Sequence, residues 1–139
     1  MTENSQKDGD DEFVVRPVGH VESKLREIDD APNQGNLGAP NAWLVLRPEI
    51  AEAARDLKPG DRIVLLTWLH KARRDVLSAY PGSRADLPHL GVFSLRSPNR
   101  PNSIGLHPVE ILERDGLRIR VNNLEAIDGT PILDIKPEI

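Results

Sequence analysis

Cysteine is absent from the 139-residue sequence. The chain therefore has no disulfide and no thiolate with which to hold zinc or an iron–sulfur cluster, and it fits a reducing compartment. Aromatic side chains are scarce as well. Phe13, Trp43, Trp68, Tyr80 and Phe93 are the whole set, too few for a broad base-stacking platform. The longest apolar run, Ile63 to Leu69, is interrupted by Thr67 and is far too short to cross a bilayer. The first residues are polar and acidic, the opposite of a signal or transit peptide. We expect no membrane partner and a cytoplasmic location.

A basic excess is also missing. The net charge of -4 arises from residues 1–12, where Glu3, Asp8, Asp10, Asp11 and Glu12 outweigh Lys7 (5 acidic, 1 basic). Subtracting these from 22 acidic and 18 basic residues leaves 17 of each in the body, without the positive footprint usual in a nucleic-acid binder. Several sequence motifs are absent too: the glycine fingerprint of a dinucleotide fold, the phosphate-cradling Gly-Lys-Ser/Thr loop and the Gly-x-Ser-x-Gly elbow. The histidines His20, His70, His89 and His107 show no spacing typical of zinc enzymes, and we expect no metal. Asp128 and Asp134 read more simply as a turn residue and a strand residue than as a catalytic pair.

What is present points to short strands. Residues 1–12 read as a disordered acidic tail and residues 13–139 as one domain. Strands are expected over Phe13–Val21, Trp43–Leu46, Arg62–Leu69, Gly91–Arg96, Ile104–Leu112, Leu117–Val121 and Pro131–Ile135. Asp115-Gly116 and Asp128-Gly129 mark turns. A helix is expected over Pro48–Leu57, with Pro48 in its first turn and Ile50, Ala53, Ala54 and Leu57 on one face. Lys71 to Tyr80 is open to helix or loop. Glu22 to Pro40 reads as a long loop, and long loops in compact domains are often functional. The pattern implies a mainly β barrel or sandwich with one or two short helices.

Three segments carry candidate chemistry. Arg96-Ser97-Pro98-Asn99-Arg100-Pro101-Asn102 is a loop stiffened by two prolines, from which forked donors can meet a carboxylate, a phosphate or a base edge. A strand connection with solvated arginines is the plainer reading. Ala126 to Pro137 holds the Asp128-Gly129 turn and reads equally as an ordinary hairpin. Thr67-Trp68-Leu69-His70-Lys71 ends a strand with a histidine that either meets a ligand or caps the strand.

Taken together, Arg96-Ser97-Pro98-Asn99-Arg100-Pro101-Asn102-Ser103-Ile104-Gly105-Leu106 and Asp128-Gly129-Thr130-Pro131-Ile132-Leu133-Asp134-Ile135-Lys136-Pro137 closely resemble the two signatures of the TsaA-like tRNA (adenine-N6)-methyltransferase family. Val18-Gly19-His20-Val21-Glu22-Ser23, Ala31-Pro32-Asn33-Gln34 and Trp68-Leu69-His70 are similar to further family segments. The resemblance covers Phe13 to Pro137. Ser103, His107 and Glu125 depart from the residues the family usually has there.

The resemblance implies a single-sheeted β-barrel rather than a doubly wound methyltransferase fold, S-adenosyl-L-methionine as cofactor, tRNA as substrate and a homodimer with the cofactor pocket near the subunit interface. Implied cofactor contacts are Pro32, Asn33, Gln34, His70, Lys71, Arg96, Leu106, Asn122, Asn123, Leu124 and Glu125. Arg100 and Asn102 are implied substrate contacts, and Asp128 and Asn102 are catalytic candidates. The implied reaction methylates N6 of threonylcarbamoyl-adenosine in the anticodon loop. The alternatives are the same chemistry on a non-tRNA substrate, a non-enzymatic S-adenosyl-L-methionine-binding module, and a plain nucleic-acid-binding barrel.

Overall fold

The computed structural model describes residues 11–26 and 39–139. Strands β1 (Gly19–Glu22), β2 (Ala42–Leu46), β3 (Arg62–Trp68), β6 (Ile104–Asp115), β7 (Arg118–Val121) and β8 (Pro131–Pro137) close into one barrel in the order β1-β2-β7-β6-β3-β8, every pair antiparallel. β4 (Ser78–Ala79) and β5 (Leu90–Gly91) form a separate two-stranded arm between β3 and β6. The acidic tail lies outside the described residues except for Asp11 and Glu12, which are exposed.

Alternation builds the barrel. In β6, Gly105, His107, Val109 and Ile111 point inward while Ile104, Leu106 and Pro108 point outward. Ile63, Leu65 and Thr67 do the same in β3. Val21, Leu44, Leu46, Ile63, Leu65, Val109, Ile111, Ile119, Val121, Leu124 and Ile132 fill the interior, so apolar burial holds the ring together. Closure between β1 and β8 leaves the barrel without an open edge. The β6–β7 hairpin turns at Asp115-Gly116, where Gly116 takes the positive φ of 62° that a tight turn needs.

Three expectations change. The strand expected from Phe13 begins only at Gly19. Its partner β2 ends at Leu46, opposite Gly19, so among the described residues no strand pairs with the chain before Val18, and Phe13, Val14 and Val15 are exposed. The helix expected over Pro48–Leu57 is a 3-10 segment over Pro48–Ala54, kinked at Ile50. It is too short to gain much from helical cooperativity, and the Arg114 guanidinium takes up the carbonyls of Ala54 and Leu57 at its end. The strand expected over Gly91–Arg96 is instead a 3-10 turn over Val92–Ser94 after β5.

Candidate functional site

One end of the barrel opens into a cleft between the end of β3, the start of β6 and the Glu125–Thr130 segment. Its cavity is about 130 Å³, smaller than a typical small-molecule pocket, and it is open at its mouth. Leu106, Ile104, Ala126 and Ile127 give it apolar walls; Arg96, Lys71, His70 and Glu125 supply its polar groups.

Six residues expected from the sequence therefore meet in one place: His70, Lys71, Arg96, Leu106 and Glu125, expected as cofactor contacts, and Arg100, expected as a substrate contact. Asn122, Asn123 and Leu124 do not line the cleft. The Asn122 side-chain carbonyl accepts the Glu110 backbone N–H at 2.8 Å, patching the irregular β6–β7 pairing. Asn123 holds a positive φ of 42°, and Leu124 is core. Pro32, Asn33 and Gln34 lie outside the described residues.

The Arg96–Asn102 loop commits most of its polar side chains to structural partners: the carbonyls of the preceding turn and the Arg73-Arg74 segment. Arg100 donates to the carbonyls of Leu95 (2.9 Å), Ser97 (3.0 Å) and Val92 (2.8 Å). Asn99 accepts from the Arg73 N–H, and Asn102 accepts from the Arg74 guanidinium, which also donates to the Pro101 carbonyl and lies over the Trp68 ring. Arg96 is the exception: it is exposed at the cleft and has no hydrogen-bond or ion-pair partner among the described residues. An unpaired guanidinium at a cleft is suited to a ligand carboxylate or phosphate. Asp128 lies outside the cleft lining, accepting the Ser23 N–H at 3.0 Å with Arg26 3.7 Å away. Its turn comes beside His70.

Partial burial, and then the positive charge of Lys71, hold the His70 imidazole below the ordinary histidine range. His70 is thus neutral at pH 7 and offers the cleft one donor and one acceptor nitrogen. Because the unfolded chain binds this proton more readily, the sign of the linkage is fixed. Stability is unaffected by His70 well above the unfolded pKa of about 6.5 and falls as pH drops through it. NMR titration of the His70 ring should give a midpoint below that of an unfolded-peptide histidine; an equal or higher midpoint would contradict the placement.

His107, Gly105, Ser97, Pro98, Ala126, Ile127 and Thr130 also line the cleft, and the sequence alone did not single them out as contacts. For His107 a signal existed: it interrupts an inward-facing apolar alternation in β6 with a titratable side chain. Among the described residues no cluster of three metal-ligating side chains occurs, and no helix is long and apolar enough to cross a membrane.

Residues 20–139 match the model of the tRNA-methyltransferase O N-terminal domain. A probable S-adenosyl-L-methionine-binding protein of Methanothermobacter thermautotrophicus is 43% identical over 128 residues, covering 92% of this chain and 91% of that one. An S-adenosyl-L-methionine-binding protein of Archaeoglobus fulgidus is 39% identical, covering 91% and 92%. A second Archaeoglobus fulgidus protein, 40% identical, is longer, and the match takes up only 33% of its length. Among solved structures, a TrmO crystal structure from Pseudomonas aeruginosa superposes with a TM-score of 0.72 at 30% identity, over 92% of this chain and 56% of that one. The chain thus spans about half the length of the TrmO structures and a third of one curated relative.

Proposed function

From its membership of the tRNA-methyltransferase O N-terminal domain family, we propose that this chain binds S-adenosyl-L-methionine in the cleft at the β3–β6 end of the barrel and methylates N6 of threonylcarbamoyl-adenosine in a tRNA anticodon loop. One observation carries the cofactor reading. The cleft offers a guanidinium, Arg96, and a carboxylate, Glu125, neither hydrogen-bonded among the described residues, between apolar walls. A ligand with a carboxylate, hydrogen-bond donors and a flat base complements such a set. The curated relatives carry the name S-adenosyl-L-methionine-binding protein, which supports the same ligand.

When bound, the cofactor supplies a methyl group on a positively charged sulfur; the carbon–sulfur bond breaks with its electrons left on sulfur, a carbon–nitrogen bond forms, and the amine releases a proton. The chain's own part is alignment. Arg96 would hold the cofactor carboxylate, Leu106 and Ile127 would exclude water beside the base, and neutral His70 would contribute a hydrogen bond without adding a repelling charge. Alignment of reacting atoms to about 3–3.5 Å is itself a large source of rate. Asp128, through movement of its turn, is the acceptor we propose for the departing proton, and the backbone carbonyls of Asn122 to Glu125 are candidate acceptors of a hydrogen bond from the amine N–H. For Arg100 and Asn102 we keep a role at the substrate side only through the loop they order.

We further propose a cytoplasmic homodimer. Leu77 and Phe93 (84% exposed) lie in the segment of the β4–β5 arm, and Ile104 and Leu106 lie exposed at the cleft mouth. Such apolar residues near a site are suited to a partner surface.

The test is methyl transfer from labelled S-adenosyl-L-methionine to total tRNA from cells lacking this protein, read by nucleoside mass spectrometry. The expected product is N6-methylated threonylcarbamoyl-adenosine. No incorporation, with cofactor bound and the precursor nucleoside present, would reject tRNA and favour a different methyl acceptor. The even balance of 17 basic and 17 acidic residues beyond residue 12 is the observation that favours that second reading.

A further inference from the structure

His107 is 3% exposed, yet it stands in a barrel interior filled mostly by aliphatic side chains. Buried polar groups normally have all their hydrogen bonds made. On one side this holds: His107 Nε2 lies 2.7 Å from the Thr67 hydroxyl. On the other side Nδ1 lies 3.1 Å from Glu125 Oε1, but the two are not aligned as a hydrogen bond, and Nδ1 is left without one. The Glu125 carboxylate is itself only 16% exposed and lines the cleft. Among the described residues it accepts no hydrogen bond, and His107 is its one ionic neighbour.

A carboxylate mostly withdrawn from solvent that accepts no hydrogen bond from the chain is favoured when a donor reaches it. Its open lone pairs are available to a donor in the cleft. We infer that His107 is a positioning residue: held by Thr67, it orients the Glu125 carboxylate into the cleft to accept a hydrogen bond from a hydroxyl or amine of a nucleoside ligand. This rests on the cofactor reading above. The tautomer that suits both neighbours carries its proton on Nδ1, facing Glu125, while the Thr67 O–H donates to Nε2. The arrangement has the form of a carboxylate aimed by a partner behind it, as in metal and catalytic sites where the outer group fixes the inner one. Gly105 makes it possible, because a Cβ there would lie 2.4 Å from the Thr67 hydroxyl and 2.5 Å from His107 Nε2.

The test is calorimetric titration of S-adenosylhomocysteine and 5′-methylthioadenosine into the wild-type chain, His107→Leu, His107→Asn, Glu125→Gln and His107→Leu/Glu125→Gln, with a melting curve for each. His107→Leu and Glu125→Gln should each weaken S-adenosylhomocysteine binding about ten-fold or more, the scale of one hydrogen bond to a charged group. The double variant should bind no worse than the weaker single variant, since both act through one contact. His107→Asn, which keeps a donor near the Nδ1 position, should restore most of the affinity, a rescue that a merely space-filling role would not give. Weakening of both ligands places the donor in the nucleoside half they share; weakening of S-adenosylhomocysteine alone places it in the amino-acid half. Either supports the pair. Unchanged affinity in His107→Leu, or in Glu125→Gln should the leucine variant not fold, overturns it while leaving the cofactor reading intact. Failure of the wild-type chain to bind either ligand overturns both.

Discussion

Gly105→Ala is expected to lower the melting temperature by about 10 °C, from an overpacking cost of about 3 kcal/mol in a domain of this size, and to abolish measurable cofactor binding with it. The cause is local. Gly105 sits inward on β6, opposite Thr67 on β3, and the first carbon of any side chain would meet the Thr67 hydroxyl at 2.4 Å and His107 Nε2 at 2.5 Å. Its φ is not in the left-handed region, so the effect is one of space and not of backbone strain. Thr67 cannot move away, because β3 is paired on both sides, to β6 and β8. The displaced group is therefore the imidazole, and with it the Glu125 carboxylate. Adding His107→Ser to Gly105→Ala separates the two consequences: the smaller side chain should recover most of the melting temperature, while ligand affinity stays low. Gly105→Ala melting and binding like the wild type would mean that the interior has slack at this level.

The barrel was legible because much of its signal is period two. Ile119 and Val121 alternate with arginines, Val109 lies between Pro108 and Glu110, β3 is an unbroken apolar run from Ile63 to Leu66, and Asp-Gly pairs mark the turns. Where the strand ends lay was less so. Phe13, Val14 and Val15 have β-forming side chains, but pairing depends on how far β2 extends, and that is a property of the partner. The Val92–Ser94 turn likewise depends on an arginine several residues away. Part of the site was legible through resemblance, in His70, Lys71, Arg96, Arg100, Leu106 and Glu125. The rest was not, since a single spacing cannot tell an asparagine that patches a strand pair, as Asn122 does, from one that meets a ligand. His107 could have been flagged from its place in the β6 alternation. That Thr67 and Glu125 are its partners could not, because they come from distant strands and loops brought together only by closure.

Arg100→Ala is expected to cut methyl transfer about a hundred-fold, the scale on which a misplacement of about 1 Å in an aligned site acts, with a smaller effect on melting. The guanidinium gathers the carbonyls of Val92, Leu95 and Ser97 within 3.0 Å, and its own backbone N–H is held by the Arg73 carbonyl at 3.1 Å. It thereby fixes the bend that carries Arg96, Ser97 and Pro98 to the cleft wall. Arg100→Lys should not rescue, since an ammonium is a point donor and cannot span three carbonyls as a planar fork does. The competing role, direct contact of Arg100 with an RNA phosphate, leads to a different pattern. In that case cofactor affinity would be untouched, and the slope of tRNA affinity against salt would shift by about one in the alanine variant. Loss of cofactor affinity with the salt slope unchanged is the result expected from the three carbonyl contacts, because a guanidinium already committed to them has little left to offer a phosphate. A shifted slope with cofactor binding intact would move Arg100 from the frame of the cleft to the surface that meets the substrate.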